Sequence, residues 1–532
     1  MSREYGSPVW GTVREEHPLV TVKQGTVRGF SREGIAIFKG IPYGGPCEGS
    51  ARFQAPVPAA GWDGERDCTK NGCYAMQNGQ SIGGDPGPLA DYYRGADKNS
   101  LGELEQQGEN CLDLDVLTPG IDDSKRPVVF YIHGGGFSTG SGTMVAAADA
   151  FCREQDIVVV GVNHRLNIFG YLWLGDLDEN YRASGCAGML DLVLALEWVR
   201  DNIASFGGDP DNVTLMGESG GGAKINLLMT MPSARGLFKK AIVESGSLAT
   251  GHLTPAKAGE VTARVLENLG LSKDNWKEIL TLPAQALLDA ASKERDFGAL
   301  TPVADGKYIP FQTGSGFEYG IPDYSYDVPV MVGAGEDELG LFAQPDPSLT
   351  WENLPDILTR DGIHGPDSSA ELTRDDAAAL VDLFRSVNVK NDDVRHTWIK
   401  MVSMISNINR AGFYQALERV SSDRFTAPVY HYINAYDSAH PMDLTNACSW
   451  HTSDLPLQMR IVQRPQDEEI STVMSAAWAS FMRNGSPSTD ALPWKPFTPA
   501  DRNVMIFDND GKTRMETDPH KVLREAIENL TN

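Results

Sequence analysis

The stretch Gly217-Glu218-Ser219-Gly220-Gly221 decides the fold. The apolar run 213–216 before it predicts a buried strand, and the segment 220–229 after it predicts a helix. Strand, G-x-S-x-G and helix form the context of a nucleophile elbow, whose tight turn leaves no room for side chains two residues before and after the serine. Such a turn lifts Ser219 Oγ above the sheet, at a helix N-terminus that favours negative charge. A glycine-rich turn without a catalytic role could have the same five residues. A catalytic interpretation therefore requires a base and an acid elsewhere in the chain.

Segments on both sides of the elbow predict an α/β protein with a mostly parallel sheet. Buried strands are expected at 127–132, 157–162, 240–244, 328–333 and 428–433, the last of which is the final clear strand. A helix at 189–204 lies between two of them, and short links between strands and helices imply right-handed crossovers. Residues 20–53 alternate like an antiparallel N-terminal hairpin. Amphipathic helices at 255–296 and 372–419 are expected to be insertions that wall the site.

Length, composition and charge limit the classes of protein. The 532 residues are 41% hydrophobic and contain no repeat, low-complexity tract or convincing linker, so one domain over residues 1–532 is expected. The net charge of −26 argues against nucleic acid or an anionic membrane as a partner.

The N-terminus lacks an apolar signal region and no apolar run is long enough to span a membrane, so we expect a cytoplasmic protein. Seven scattered cysteines without a C-x-x-C pair do not form a disulfide scaffold.

Two further segments indicate functional loops. His133-Gly134-Gly135-Gly136-Phe137 directly follows the strand 127–132. Glycines at such a position let backbone N–H groups approach a ligand closely, which is how an oxyanion hole is built beside a serine elbow. The polar, weakly periodic stretch between Cys73 and Cys111 predicts a long surface loop.

An elbow serine needs a base and an acid to act as a nucleophile. In this fold they follow the serine in the order acid, histidine, each on a loop after a strand. For the acid, Glu338 is favoured, with its neighbours Glu336 and Asp337 as rivals. For the base, the candidates are His451, His440 and His431. His431 lies inside a strand pattern and is expected to be structural. His440 precedes Pro441 on a loop, and spacing alone does not exclude it.

Ordered motifs along nearly the whole chain make it similar to the type B carboxylesterase family, which includes carboxylesterases, para-nitrobenzyl esterases and cholinesterases. The resemblance implies an α/β-hydrolase fold, with helices on both faces of the central sheet and helical insertions around the active site. The motifs are 38–43, 109–114, 133–137, 196–199, 206–210, 217–221, 302–306, 337–340, 451–456 and 478–487.

The resemblance also implies roles for individual residues. It implies Ser219 as nucleophile, Glu338 as orienting acid and His451 as base, with an oxyanion hole from the N–H groups of Gly135, Gly136 and Gly220 and with Glu218 and Ser245 near the histidine. These residues imply hydrolysis of a carboxylic ester through a covalent acyl-enzyme, and neither a metal nor a cofactor is needed.

The chain departs from the family pattern at a few positions. Cys47 stands where proline is usual, Gly220 where alanine is common, Cys186 where asparagine is usual and Leu192 where glutamine is frequent. These departures suggest an altered pocket or entrance. Cys73 and Cys111 resemble the cysteines that fix the family's large loop by a disulfide, so this bond is possible here.

Three functions remain open from the sequence. The leading hypothesis is a serine carboxylic-ester hydrolase acting on small or medium organic esters. An acyltransferase or a ring-closing enzyme would use the same acyl-enzyme. A non-catalytic binding homologue is disfavoured because Ser219, Glu338 and His451 are all present. A hormone-sensitive-lipase-like enzyme would share the glycine loop, but the motifs at Cys111 and Phe206 and the glutamate acid favour the type B family.

Overall fold

The computed structural model describes residues 13–14, 17–78, 106–145, 147–246, 252–294, 299–310, 325–342, 345–360, 372–387, 393–406, 410–438, 448–462, 464–509 and 511–531. Its strands are β1 (Val13–Arg14), β2 (Leu19–Val22), β3 (Gly25–Arg28), β4 (Phe30–Arg32), β5 (Ile35–Pro42), β6 (Glu65–Asp67), β7 (Tyr74–Ala75), β8 (Gln107–Gly108), β9 (Asp113–Thr118), β10 (Arg126–Ile132), β11 (Val158–Val162), β12 (Gly208–Glu218), β13 (Lys240–Glu244), β14 (Val330–Gly335), β15 (Val429–Asn434), β16 (Asn503–Phe507) and β17 (Arg514–Thr517). Its α-helices are α1 (Asp149–Gln155), α2 (Asn167–Tyr171), α3 (Ala187–Asn202), α4 (Gly220–Thr230), α5 (Pro255–Asn268), α6 (Ala284–Ala291), α7 (Leu354–Arg360), α8 (Arg374–Val387), α9 (Val394–Ile405), α10 (Arg410–Ser421), α11 (Leu455–Gln458), α12 (Asp467–Asn484) and α13 (Lys521–Thr531).

One large mixed sheet organises the molecule. Its strand order is β1-β4-β5-β9-β11-β10-β12-β13-β14-β15-β16-β17. The seven strands from β11 to β16 run parallel, and antiparallel pairs flank them on both sides. The predicted mostly parallel sheet and the α/β-hydrolase fold class are therefore confirmed.

The sheet continues beyond the strand that the sequence indicates as its last. β16 pairs parallel with β15, and β17 pairs antiparallel with β16. The apolar run of β16 spans only Val504–Phe507 and, unlike 213–216, is followed by no motif that marks it as a strand.

The N-terminal hairpin is divided between two sheets. β2 and β3 pair antiparallel and, together with β6, form a separate three-stranded sheet. β4 and β5 pair antiparallel within the large sheet, where β5 leads to β9. The predicted antiparallel character is correct, although the strands do not form one continuous hairpin.

Helices cover both faces of the parallel strands. Along β10, Phe130 and Ile132 pack in one core cluster with α3 and α4, whereas Val129 and Tyr131 pack in the other with α1 and α12. Successive side chains of a strand point to opposite faces, so the uninterrupted apolar run reflects burial on both.

The helical insertions form their own small cores. α5 and α6 pack with residues 168–181, and α7, α8 and α9 pack with α13. The hydroxyl oxygen of Ser403 on α9 accepts a hydrogen bond of 2.9 Å from the N–H of Leu339, so this insertion contacts the turn that carries the predicted acid. In the part of the chain that the structure describes, no helix has the length and apolar character needed to cross a bilayer.

Candidate active site

The serine lies on a strained turn between β12 and α4. Ser219 has a φ of 55°, and its N–H donates to the carbonyl oxygen of Glu244 at 2.8 Å. A Cβ on Gly217 would come within 2.6 Å of Gly221, and one on Gly221 would come within 2.0 Å of the Ile132 carbonyl oxygen. The predicted need for glycine on both sides of the serine is met, and the side chain of Ser219 is partly exposed.

A histidine and a glutamate meet at the end of the sheet next to the elbow. His451 Nδ1 makes a short hydrogen bond with Glu338 Oε2, and both side chains are buried. The other oxygen, Glu338 Oε1, accepts hydrogen bonds of 2.6 Å from Ser245 Oγ and from the Gly335 N–H. Three donors therefore fix the orientation of the carboxylate, and the carboxylate fixes that of the imidazole.

The three consecutive acids have different partners. Glu336 forms a buried ion pair with Lys400 at 2.8 Å. Asp337 accepts from Ser449 Oγ at 3.0 Å and lies 3.2 Å from His396 Nε2. Of the three, Glu338 is the one with a recorded hydrogen bond to His451 in the described part of the chain.

The histidine candidates are also separated. His431 lies in β15, where its Nδ1 bonds the Val332 carbonyl at 3.1 Å, and burial lowers its pKa to about 4. It belongs to the sheet, as expected for a structural residue. His440 lies outside the described residues.

Glu218 faces the second nitrogen of the histidine. His451 Nε2 lies 3.2 Å from Glu218 Oε1, although this oxygen accepts no well-oriented hydrogen bond. Among the described residues, Ser219 Oγ has no hydrogen-bond partner. Glu218, the residue before the serine, therefore lies next to His451, and His451 contacts Glu338. In the described part of the chain no hydrogen bond joins Ser219 Oγ to His451.

Opposing effects set the pKa values in this buried group. Burial alone would lower the pKa of His451, but Glu218 and Glu338 outweigh it and raise the pKa to about 9. Burial raises the pKa of Glu218 to about 8 despite the nearby histidine. Because the two groups face each other at 3.2 Å, the protonation of one affects the pKa of the other.

Two more buried carboxylates, those of Asp454 and Glu244, interact electrostatically with Glu218, and no role was expected for either from the sequence. Asp454 accepts a hydrogen bond of 2.9 Å from Tyr432 OH, and Glu244 accepts one of 2.8 Å from Trp478 Nε1. Burial raises the pKa of both carboxyl groups, that of Asp454 to about 6. The places of both residues in the chain could have indicated that they lie near the site. Asp454 follows His451 by three residues, and Glu244 is paired in register with Glu218 at the ends of neighbouring strands.

The glycine loop lies against the first turn of α4. Gly135 and Gly136 have φ angles of 80° and 61°, a region that favours glycine. Their N–H groups donate no hydrogen bond within the described part of the chain, and the N–H of Gly220 has no partner inside its own helix because it begins α4. A Cβ on Gly220 would lie 2.5 Å from the nitrogen of Gly136, so the loop and the helix are in direct contact.

Cys73 and Cys111 are both free thiols, so the possible disulfide between them is not formed in the structure. The sulfur of Cys73 lies beside Gly108, where a Cβ would approach it to 3.2 Å. Cys111 is completely buried, which raises the pKa of its thiol. Of the loop predicted between the two cysteines, residues 79–105 lie outside the described part.

Three of the departures from the family pattern are core residues. Cys47, Cys186 and Leu192 are at most 3% exposed and belong to the cluster on one face of the sheet. These three departures therefore affect the packing of that core cluster. Gly220 is the departure that contacts the site directly.

Fold and site together define an α/β hydrolase with a serine elbow beside a histidine–glutamate pair. Comparison with known proteins then identifies the family: a model described as "Carboxylesterase family" matches residues 16–523. The chain belongs to this family, and it is a carboxylic-ester hydrolase, as the resemblance in its sequence implied.

Individual relatives match over nearly their full length. A para-nitrobenzyl esterase of Bacillus subtilis is 32% identical over 531 residues, covering 96% of this chain and 98% of the relative. The carboxylesterase EST55 of Geobacillus stearothermophilus superposes with a TM-score of 0.76 at 30% identity, covering 96% of this chain and 99% of that one. An esterase from Clostridium hathewayi superposes with a TM-score of 0.77 at 28% identity, covering 98% of this chain and 100% of that one.

Proposed function

We propose that the protein hydrolyses small or medium organic esters through a Ser219–His451–Glu338 triad and a covalent acyl-enzyme. The observation that carries the proposal is the short contact between His451 Nδ1 and Glu338 Oε2 beside the elbow serine. It supports the roles of base and orienting acid, because a fixed carboxylate holds the imidazole in the tautomer that can accept a proton at Nε2.

The reaction follows from these roles. Ser219 Oγ attacks the carbonyl carbon of the ester while its proton moves to His451 Nε2. The carbonyl oxygen becomes an oxyanion and accepts hydrogen bonds from the N–H groups of Gly135, Gly136 and Gly220. The tetrahedral intermediate expels the alcohol, which takes the proton from His451. A water molecule then repeats the sequence on the acyl-enzyme and releases the carboxylic acid.

One contact has to form during this reaction. His451 Nε2 faces Glu218 at 3.2 Å, and Ser219 Oγ has no partner in the described part of the chain. Hydrogen bonds between nucleophile and base are often long before substrate binds and tighten in the complex. We therefore expect the serine hydroxyl to turn toward His451 Nε2 when an ester occupies the site.

The names of the relatives guide the choice of test substrates. The Bacillus subtilis relative is a para-nitrobenzyl esterase, and the Clostridium hathewayi enzyme is described as able to hydrolyze aliphatic aromatic polyesters. We propose that this chain also accepts esters with an aromatic group next to the scissile bond. Partly exposed Ser219 gives such a group access from solvent.

A burst assay tests the proposed function. With p-nitrophenyl acetate and butyrate we expect a rapid release of nitrophenol followed by steady turnover, since acyl-enzyme forms and is then hydrolysed. A burst that stalls until an alcohol or amine is added would identify an acyltransferase instead. If no nitrophenol is released from aromatic or aliphatic esters, the proposal fails.

The charge of Glu218 is expected to set the pH dependence. His451 can accept the serine proton only in its neutral form, and its raised pKa of about 9 means that kcat/KM of the wild type increases with pH through the weakly alkaline range. In Glu218→Gln one of the three carboxylates that raise this pKa, those of Glu218, Glu338 and Asp454, is replaced by a neutral amide. We therefore expect the midpoint of the rising limb to move down by about one to three pH units. The measurement is kcat/KM against pH for both proteins.

An unchanged midpoint in Glu218→Gln would contradict this assignment. Asp467→Asn is a suitable control, because Asp467 is a buried carboxylate that hydrogen-bonds to Tyr436 and pairs with Arg464, away from the histidine. Its pH profile should match that of the wild type.

Gly220→Ala is expected to damage the oxyanion hole. Its Cβ would lie 2.3 Å from the carbonyl oxygen and 2.5 Å from the nitrogen of Gly136, so the backbone of the glycine loop has to shift. Displacing an oxyanion donor costs about 10²-fold in kcat, and we expect a loss of at least roughly tenfold. The matched control is Gly412→Ala on α10, where the nearest atom to a new Cβ is 3.5 Å away. Equal kcat values for the two variants would show that the close approach has no catalytic role.

A further inference from the structure

A lysine is buried beneath the glycine loop without an acidic partner. Lys224 lies on α4, five residues after Ser219, and is 0% exposed. Its Nζ donates a hydrogen bond of 3.1 Å to the carbonyl oxygen of His133, the residue before the glycine loop. Among the described residues, no carboxylate lies within ion-pair distance of this ammonium group.

In the described part of the chain, the groups recorded near Lys224 are two histidines and an aromatic ring. The rings of His133 and His164 are 4.7 Å apart, and burial lowers the pKa of both, with the lysine contributing in the same direction. Arg165, which also acts on His164, is paired with Asp191 at 2.6 Å. The centre of the Phe137 ring is 5.7 Å from Nζ.

An apolar side chain at this position would avoid a large desolvation cost. Removing an ammonium group from water without an anionic partner is strongly unfavourable, and burial accordingly lowers the pKa of Lys224 to about 7. The proposed reaction creates a negative charge close by, on the oxyanion. An ammonium that has no anionic partner among the described residues is suited to a charge that exists only in the transition state.

Local geometry connects the lysine to the oxyanion hole. With 3.6 residues per helical turn, Lys224 lies one turn below Gly220 on the same face of α4. The carbonyl of His133 also faces the first turn, since a Cβ on Gly221 would lie 3.2 Å from its oxygen. The hydrogen bond from Nζ therefore joins the helix to the peptide that leads into Gly134.

We propose that Lys224 is a positioning residue of the oxyanion hole, which holds the His133–Gly134 peptide against α4 and, in its protonated form, adds a positive charge near the developing oxyanion. The inference rests on the proposed function, because it concerns a charge that the proposed reaction creates.

Two substitutions separate the hydrogen bond from the charge. Lys224→Met keeps the length of the side chain and removes both, whereas Lys224→Gln keeps a donor and removes the charge. The control is Lys240→Met, because Lys240 is a second buried lysine, at the start of β13 and at the opposite end of that strand from Glu244.

Each variant is compared with the wild type for thermal unfolding, kcat, KM and inhibition by an aryl trifluoromethyl ketone. Ser219 Oγ adds to the carbonyl carbon of this ketone and its proton moves to His451, so that the ketone oxygen becomes a stable oxyanion in the hole.

We expect Lys224→Met to lower kcat about 10- to 100-fold, with KM changed by less than about threefold. The affinity of the protein for the trifluoromethyl ketone should fall by a factor similar to the loss in kcat. Lys224→Gln should recover part of both losses, and Lys240→Met should stay within about twofold of the wild type. A purely structural role would lower the unfolding temperature without changing kcat per folded molecule or ketone affinity.

A folded Lys224→Met with kcat and ketone inhibition within about twofold of the wild type would overturn the inference, and so would equal losses in the Lys240 variant. In either case an active wild type leaves the proposed function intact. A wild type without Ser219-dependent turnover would overturn both together.

Discussion

Ser219→Ala is expected to lower kcat by roughly 10⁶-fold, the order of loss seen when a serine protease loses its nucleophile. The variant keeps the elbow glycines, the glycine loop and the His451–Glu338 contact, so only the attacking atom is removed. The backbone at residue 219 has a φ of 55°, which alanine has to adopt as serine does, and stability should change little. The measurement is steady-state hydrolysis of p-nitrophenyl butyrate together with thermal unfolding.

The control for this variant is Ser475→Ala. Ser475 is a buried serine on α12 whose hydroxyl donates to the Thr472 carbonyl at 3.1 Å, so its loss removes a buried hydroxyl outside the site. Its kcat should remain close to that of the wild type. Substantial turnover by Ser219→Ala, above that of a contaminant-free blank, would mean that another group attacks the ester.

Glu338→Gln is expected to cost about 10⁴-fold in kcat, as observed for amide replacement of the acid in another triad. Glu338 Oε1 accepts from Ser245 Oγ and the Gly335 N–H, so the single oxygen of the glutamine amide belongs there. The amide NH₂ then faces His451 Nδ1 and donates to it. This arrangement moves the imidazole proton to Nε2, where it prevents the histidine from accepting the serine proton.

Neighbouring acids provide the control for this prediction. Glu336→Gln leaves Lys400 with one carboxylate fewer, and Asp337→Asn weakens the contact with His396, so both variants should lose stability. Their kcat per folded molecule should nevertheless remain far above that of Glu338→Gln. If either variant is the more severe catalytic defect, the orienting acid has been misassigned.

Much of the fold is predictable because its decisive features are local. The parallel strands are continuous apolar runs such as 127–132, and the elbow depends on glycines whose Cβ atoms would collide with Gly221 or with the Ile132 carbonyl. β16 is not predictable because its four-residue apolar run is followed by no motif that marks a strand, and the division of the hairpin into two sheets depends on the pairing of β3 with the distant β6. Long-range pairing of short strands leaves little trace in the sequence.

Within the site, spacing alone could not choose among residues 336–338. Three adjacent side chains on a tight turn point in different directions, toward Lys400, Ser449 and His451 respectively. The burial of Lys224 is not predictable from the sequence for another reason, because it depends on how the glycine loop covers α4. A single lysine within the apolar run 220–229 was the available signal, since an exposed helix would show more polar residues.

The most direct test of the account is the mass of the intermediate during turnover of p-nitrophenyl acetate. The reaction is quenched in acid within the burst phase, and the intact protein and its proteolytic peptides are weighed. The account predicts that the wild type gains one acetyl group on the peptide containing Ser219, that the group disappears once substrate is consumed, and that Ser219→Ala gains none. Steady hydrolysis with no acetyl group on any peptide, or with the group on a residue other than Ser219, would contradict it.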